Sequence, residues 1–203
     1  DATGAEIDQA LAPVLERLDA EPDGSAIAVM LQHAEGSFEE RVAQILPTLK
    51  VILLGGMQEP GHAAGTTLAG LLLAGQAAEA AADPEALVPA AIEEGLRWVS
   101  PIGTQTRRAR VDLELGGVAV PAGASLGALV SSANRDEAVW GERADLFDVH
   151  RPRRNHAAFG FGPHFCSGHH FSRVQMRIAL RRLLERFPDL ALEITDPATV
   201  LLA

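Results

Sequence analysis

Residues 159–173 read FGFGPHFCSGHHFSR and hold the only cysteine of the 203-residue chain, Cys166, among three glycines and three histidines. From Ser167 onward Met176, Leu180, Leu183, Leu184 and Phe187 recur on one face, which predicts a helix that Pro188 ends. Cys166 thus stands at a helix mouth, where free N–H groups and the positive end of the dipole favour a thiolate. Gly160, Gly162 and Gly168 can bring the backbone close to a flat object and adopt angles closed to other residues.

Read by itself, the segment admits three uses for the cysteine. It can be a small buried hydrophobe, the ordinary role of a lone cysteine. It can join His164, His169 and His170 around zinc, although structural zinc usually takes ligand pairs from two separated segments and no second pair is present. It can be a nucleophile with a histidine base, although no orienting residue stands out.

Working outward, the chain is 47% hydrophobic and 22% charged, the composition of an ordinary globular protein long enough to bury a core. The longest apolar stretch, TLKVILLGGM at 48–57, falls short of the roughly 20 residues of a membrane span, so no membrane association is expected. Asp1, Glu6 and Asp8 replace the basic start of a signal peptide. A single cysteine cannot form an internal disulfide, which fits a cytoplasmic location. The net charge is −10, yet eight arginines lie between 151 and 186 against one acid, Glu185. An acidic chain with one basic face argues against nucleic acid and allows an acidic protein to dock; a merely solvated helix surface is the alternative.

Helices are predicted over 5–20 and 25–34, and from Ser37 to a break near Pro47. A long apolar helix is expected over 48–76 with Pro60 in its middle, and another over 84–100, starting at Pro84. Residues 102–130 alternate polar and apolar around Gly116-Gly117 and Pro121-Ala122-Gly123, predicting a hairpin and a further strand. Residues 131–165 read as irregular, and 159–187 as the cysteine loop and its helix. The fold class is therefore mainly α with a minor antiparallel β component.

The opening segment resembles the haem-binding signature of the cytochrome P-450 family, F-G-x-G-x-H-x-C-x-G followed by a helix, at Phe159, Gly160, Gly162, His164, Cys166, Gly168 and, less strictly, Arg173. Glu94-Gly95-Leu96-Arg97 matches the family's E-x-x-R motif, whose spacing puts carboxylate and guanidinium on one helix face. TRRARVDLELGG, SSANRDEAVW and FDVHRPRR follow in the family's order. The resemblance implies the C-terminal half of a bacterial, soluble P-450 domain: residues 1–50 as helices preceding the oxygen-side helix, 48–76 as that helix, and the remaining elements as above. It implies haem b (iron protoporphyrin IX) bound by Cys166, a ligation used in this family to favour O–O cleavage. Phe159 would shield the sulfur, Gly160 and Gly168 would shape the loop, and Arg107 and His164 would hold the propionates. Glu94 and Arg97 would be structural, with Arg151 as their third partner because Leu146 stands where the family often has an arginine.

The implied activity is monooxygenation: O2 is activated at haem iron to oxidise a small organic substrate, with electrons from a ferredoxin- or flavin-type donor. Arg153, Arg154, Arg173, Arg177 and Arg181 would form the donor's docking face, and Gly56, Met57, Ile102 and Gly103 the substrate side. Two departures stand out. The oxygen-side pattern of small-Gly-x-acid-Thr reads Gly55-Gly56-Met57-Gln58-Glu59-Pro60, so Glu59 can be the acid while Pro60 replaces the threonine and is expected to kink the helix. The family's N-terminal half has no counterpart, so a large apolar surface should be exposed. A truncated, non-catalytic haem-binding or interaction module is the rival reading.

Overall fold

The computed structural model describes residues 2–193. They divide into two compact units, Asp1–Gln58 and Glu59–Ala203.

The first unit is built of three helices, α1 (Ala2–Ala20), α2 (Ala26–His33) and α3 (Phe38–Met57). Two serines open the second and third. Ser25 accepts from the Ala28 N–H at 3.3 Å, and Ser37 exchanges hydrogen bonds with Glu40 in a capping box, at 3.3 and 2.8 Å. Leu15, Leu18, Ala28, Leu31, Ile45 and Leu49 fill the core. The Arg41 guanidinium bridges α3 to α1 by donating to both Asp19 oxygens at 2.6 and 3.0 Å.

The second unit begins with α4 (Glu59–Leu73), α5 (Ala77–Ala82) and α6 (Pro84–Trp98). Asp83 caps α6 by accepting from the Ala86 N–H at 3.2 Å, and Pro84 stands first, where a missing N–H costs nothing. Four strands follow: β1 (Thr104–Arg108), β2 (Leu113–Leu115), β3 (Val118–Val120) and β4 (Ser125–Leu129). β2 and β3 form a two-residue hairpin through Gly116 and Gly117, both at positive φ (56° and 81°), the signature of a type I′ turn. β1 and β4 pair antiparallel outside it, with Arg107 opposite Leu126. Short helices α7 (Val130–Ala133) and α8 (Glu137–Trp140) lead to the cysteine loop, and α9 (His169–Arg186) follows it.

α4, α6 and α9 pack around Leu71, Val88, Ile92, Leu96, Met176, Leu180 and Leu184. Gly95 lets α6 approach α4 closely, because any Cβ there would overlap the Thr67 hydroxyl. Thr67 is fully buried and donates to the Ala63 carbonyl at 2.7 Å, while Thr66 donates to the His62 carbonyl at 3.1 Å. Both hydroxyls are thus committed to their own helix.

The structure moves several expected boundaries. No break occurs at Pro47: α3 runs through it to Met57, and the 48–76 helix is instead two helices that meet at Gln58. Ile45 and Leu49 are buried on either side of Pro47, so tertiary packing outweighs one missing helical hydrogen bond. Pro60 does not sit mid-helix with a kink around it. It is the second residue of α4, a first-turn position that needs no N–H, and it follows the weak helix formers Gly55 and Gly56. The final helix starts at His169 rather than Ser167, and Phe187 lies beyond its end, half exposed, instead of on the core face.

Among the described residues no helix is long and apolar enough to cross a membrane. The end of α3 presents Val51, Ile52, Leu53, Leu54 and Met57 to solvent.

Candidate functional site

The cysteine loop is a chain reversal built from two single turns of 3-10 helix, Ala157–Phe159 and Gly162–His164, each bounded by a glycine-dependent bend. Gly160 has φ 70° and ψ −168°, a region essentially closed to residues with a Cβ, and Gly162 has φ 73°. The reversal lets the Cys166 N–H donate to the Phe159 carbonyl at 3.0 Å, and the Cys166 carbonyl accepts from the His169 N–H at 3.4 Å where α9 begins. The backbone of Cys166 is fixed from both sides, while its thiol is unbridged and half-buried. A Cβ on Gly168 would stand 3.9 Å from the sulfur.

Phe159 lies behind the cysteine. Its ring centroid is 6.4 Å from that of Phe165 and 6.1 Å from that of His169, and the Arg173 guanidinium lies 4.5 Å above it. Phe161, Phe165 and His164 are exposed. A Cβ on Gly160 would fall 3.9 Å from Gln105 Nε2 and 4.0 Å from the His164 carbonyl, so the loop runs beside β1. Arg107, two residues along β1, is exposed and donates to Gln105 Oε1 at 2.8 Å. Gln105 thus links Arg107 of β1 to the Gly160 bend of the Cys166 loop.

Behind the loop sits a buried ion network centred on α6. Arg97, 1% exposed, grips Glu94 through both arms of its guanidinium at 2.7 and 2.8 Å, and also donates to the carbonyls of Asn134, Ala144 and Leu146 at 3.0, 2.6 and 2.8 Å. Arg151 donates to Glu94 at 3.0 Å and to the Leu146 carbonyl at 3.0 Å, taking the place of the third member of the E-x-x-R network. Asn134, equally buried, joins Ser100 (2.8 Å) to the Ala157 N–H (2.7 Å), tying the network to the start of the cysteine loop.

Sequence reasoning passed over Glu93 and His156. Glu93 accepts from Arg173 at 2.6 and 2.9 Å and pairs with buried His156 at 3.3 Å. Burial opposes the Glu93 charge, but the hydrogen bonds from Arg173 and His156 outweigh it and hold the carboxyl at a pKa of about 2. His169 is pushed below the ordinary histidine range by desolvation and by neighbouring His170 and Arg173. The one available signal was the doublet Glu93-Glu94, because consecutive helical positions face different ways and two acids there call for two separate partners.

These contacts reassign part of the expected docking face. Arg173 is committed to Glu93 and Phe159, and Arg181 pairs with Glu85 and Glu185, so neither is a free cation. Arg153, Arg154 and Arg177 are exposed, and Arg154 donates to the Val139 carbonyl at 2.6 Å. Glu59 opens α4, half-buried, with one carboxylate oxygen shielded from solvent and without a hydrogen-bond partner. Met57 and Ile102 are exposed, and Gly56 and Gly103 half-buried. Among the described residues no three His, Cys, Asp or Glu side chains converge to hold a metal ion.

The family sequence model described as cytochrome P450 matches residues 86–200, more than half the chain, including the cysteine loop and the Glu94–Arg97 network. The chain belongs to the cytochrome P450 family. A steroid C26-monooxygenase of Mycobacterium tuberculosis (strain CDC 1551 / Oshkosh) is 35% identical over 178 residues, covering 87% of this chain and 47% of that protein. Cytochrome P450 107B1 of Saccharopolyspora erythraea is 32% identical over 184 residues, covering 89% and 44%. Among solved structures, cytochrome P450 CYP109B1 from Bacillus subtilis superposes with a TM-score of 0.86 at 32% identity, over 96% of this chain and 52% of that one. The chain spans about half the length of the curated relatives it matches.

Haem is the group this family implies, and the residues present fit it. The sulfur is a soft ligand in no disulfide, and the aromatic side chains exposed on its loop suit an apolar macrocycle. His164 and Arg107, both exposed, have side chains that suit its carboxylates.

Proposed function

We propose that the chain is the haem-thiolate portion of a monooxygenase that oxidises a small organic substrate with O2 and electrons from a ferredoxin- or flavin-type donor. The observation that carries this reading is the preformed cysteine loop: a free sulfur on a backbone fixed at both the Cys166 N–H and the Cys166 carbonyl. When bound, haem b supplies reductive activation of dioxygen, one atom going to the substrate and the other to water. The protein's own residues have narrower tasks. Cys166 provides the anionic ligand, Gly160 and Gly162 give the loop its path, and Phe159 keeps water from the sulfur. Gly168 leaves room beside the sulfur that a larger residue would take. Arg107 and His164 bind and orient the two carboxylates. Glu59 presents a solvent-shielded, unpartnered carboxylate oxygen on the dioxygen side and is the acid that would pass protons there. Gly56 lies in the last turn of α3, where carbonyls lack a helical partner, which leaves its oxygen available to a water molecule.

Relatives named for a steroid and for a mycaminosyltylactone support a small organic substrate and no narrower class. The cytoplasm is the compartment that suits the single cysteine and the electron donor. The electron donor is expected on the exposed Arg153, Arg154 and Arg177. The deciding measurement is the reduced carbon-monoxide difference spectrum of the haem-loaded chain. A red-shifted Soret band that Cys166→Ser abolishes is expected; no haem uptake, or a Ser variant that keeps the band, would overturn the assignment. Pro60 in place of the usual threonine favours a second reading, a haem-binding module without turnover. That reading predicts the same band with no oxygen consumption, in either the parent or Glu59→Gln.

A further inference from the structure

We infer that Glu93 and Arg173 form a positioning pair that sets the geometry of Cys166 through Phe159, a role distinct from that of the E-x-x-R network. The inference rests on the cysteine loop of the proposed function but not on haem being present. Each link is a contact. Glu93 on α6 takes two hydrogen bonds from Arg173 on α9, at 2.6 and 2.9 Å. Arg173 also meets His169 at its carbonyl (3.2 Å) and at ring Nδ1 (3.0 Å), so the guanidinium is held at several points. Thus restrained, it lies 4.5 Å above the Phe159 ring, within cation–π range. The Phe159 carbonyl in turn accepts the Cys166 N–H at 3.0 Å.

His156 closes the circuit from the other side. Its Nδ1 accepts the Ala158 N–H at 3.2 Å, which places the ring proton of the neutral imidazole on Nε2, facing Glu93 at 3.3 Å. The turn that carries Phe159 is therefore tied to the same carboxylate as the arginine that covers it. A planar fork is needed here: lysine in place of Arg173 would keep the charge but lose the paired hydrogen bonds and the stacking.

Cys166 is the only cysteine, so its alkylation reports on this loop alone. In the haem-free chain, Glu93→Gln and Arg173→Lys should each raise the iodoacetamide rate at Cys166 about fivefold or more, as loss of charge-assisted hydrogen bonds increases local opening. Arg182→Gln, which removes an exposed ion pair on the same helix, is the control and should leave the rate unchanged. Melting by circular dichroism, with alkylation run well below the lowest transition, separates loop opening from global unfolding, and Arg173→Lys serves if Glu93→Gln does not fold. In the haem-loaded chain the same two variants should shift the carbon-monoxide difference band. Unchanged alkylation in both variants would overturn the positioning role, whatever the spectrum shows. Faster alkylation with no spectral band in the parent would uphold it and refute haem ligation.

Discussion

Replacing Glu94 with glutamine changes one atom type at the only carboxylate that Arg97 and Arg151 share in the buried network. Glu94 Oε1 accepts from Arg97 (2.7 Å), Asp148 N–H (2.9 Å) and Arg151 (3.0 Å), and Oε2 accepts from Arg97 Nε at 2.8 Å. The amide can keep the first three bonds only by turning its NH2 against the Arg97 Nε–H, donor facing donor. Arg97 is 1% exposed, so its charge would be left with carbonyl dipoles and no counter-ion. Breaking a buried pair from one side costs about 3–5 kcal/mol, a large share of the roughly 5–15 kcal/mol that holds a domain together. With a urea dependence of ~2 kcal/mol/M, the unfolding midpoint should fall by about 2 M.

Both tryptophans report on this network. Trp98 adjoins Arg97 in sequence and donates to the Asp145 carbonyl at 2.8 Å, and the Trp140 ring lies 5.4 Å from the Arg97 guanidinium. Urea unfolding followed by their fluorescence is therefore the assay. A double replacement of Glu94 and Arg97 by methionine should cost less than Glu94→Gln, because it leaves no unpaired charge at position 97. A midpoint drop under about 0.5 M for Glu94→Gln would refute the reasoning, since it would mean that the carbonyls alone satisfy the arginine.

Two further outcomes are expected. Glu93 is held at about 2 in the folded chain against an ordinary 4.5, so the stability it contributes is present above pH 4.5 and lost as the pH falls toward 2. The full shift corresponds to at most about 3 kcal/mol; acid unfolding curves of the parent should be steeper in that window than those of Glu93→Gln, and parallel curves would contradict the pairing. Gly160→Ala forces a side chain into φ 70°, ψ −168°, a strain of about 1–3 kcal/mol at the loop. It should lower haem retention measured by dialysis without moving the tryptophan-detected transition by more than that amount.

The features legible in the sequence were local ones. Ser37 and Pro84 at helix starts, Gly116-Gly117 at the hairpin and the glycines of the cysteine loop each act within a few residues, so local pattern placed them. The helix break was misplaced because Pro47 and Pro60 carry the same chemical handicap, and only the burial of Ile45 and Leu49 decides which one the helix survives. Arg151 as partner to Glu94 followed from the departure at Leu146, but the Glu93–Arg173 pair joins residues 80 apart, beyond any local spacing rule. That distance is also why Arg173 and Arg181 read as free surface cations when each has an acidic partner on α6.

Adjacent acids on α6 divide the work of supporting the ligand. Glu94 gathers the segment from Asn134 to Arg151 through Arg97 and Arg151, while Glu93 gathers the segment from His156 to Arg173. Consecutive helical positions differ by about 100° around the axis, so one turn of one helix can anchor two chain segments without the acids competing for the same arginine. Every residue in both networks lies within Glu59–Ala203. The cysteine loop therefore has its restraints inside a single compact unit, so on the proposed reading the hold of Cys166 on haem rests on contacts made within Glu59–Ala203.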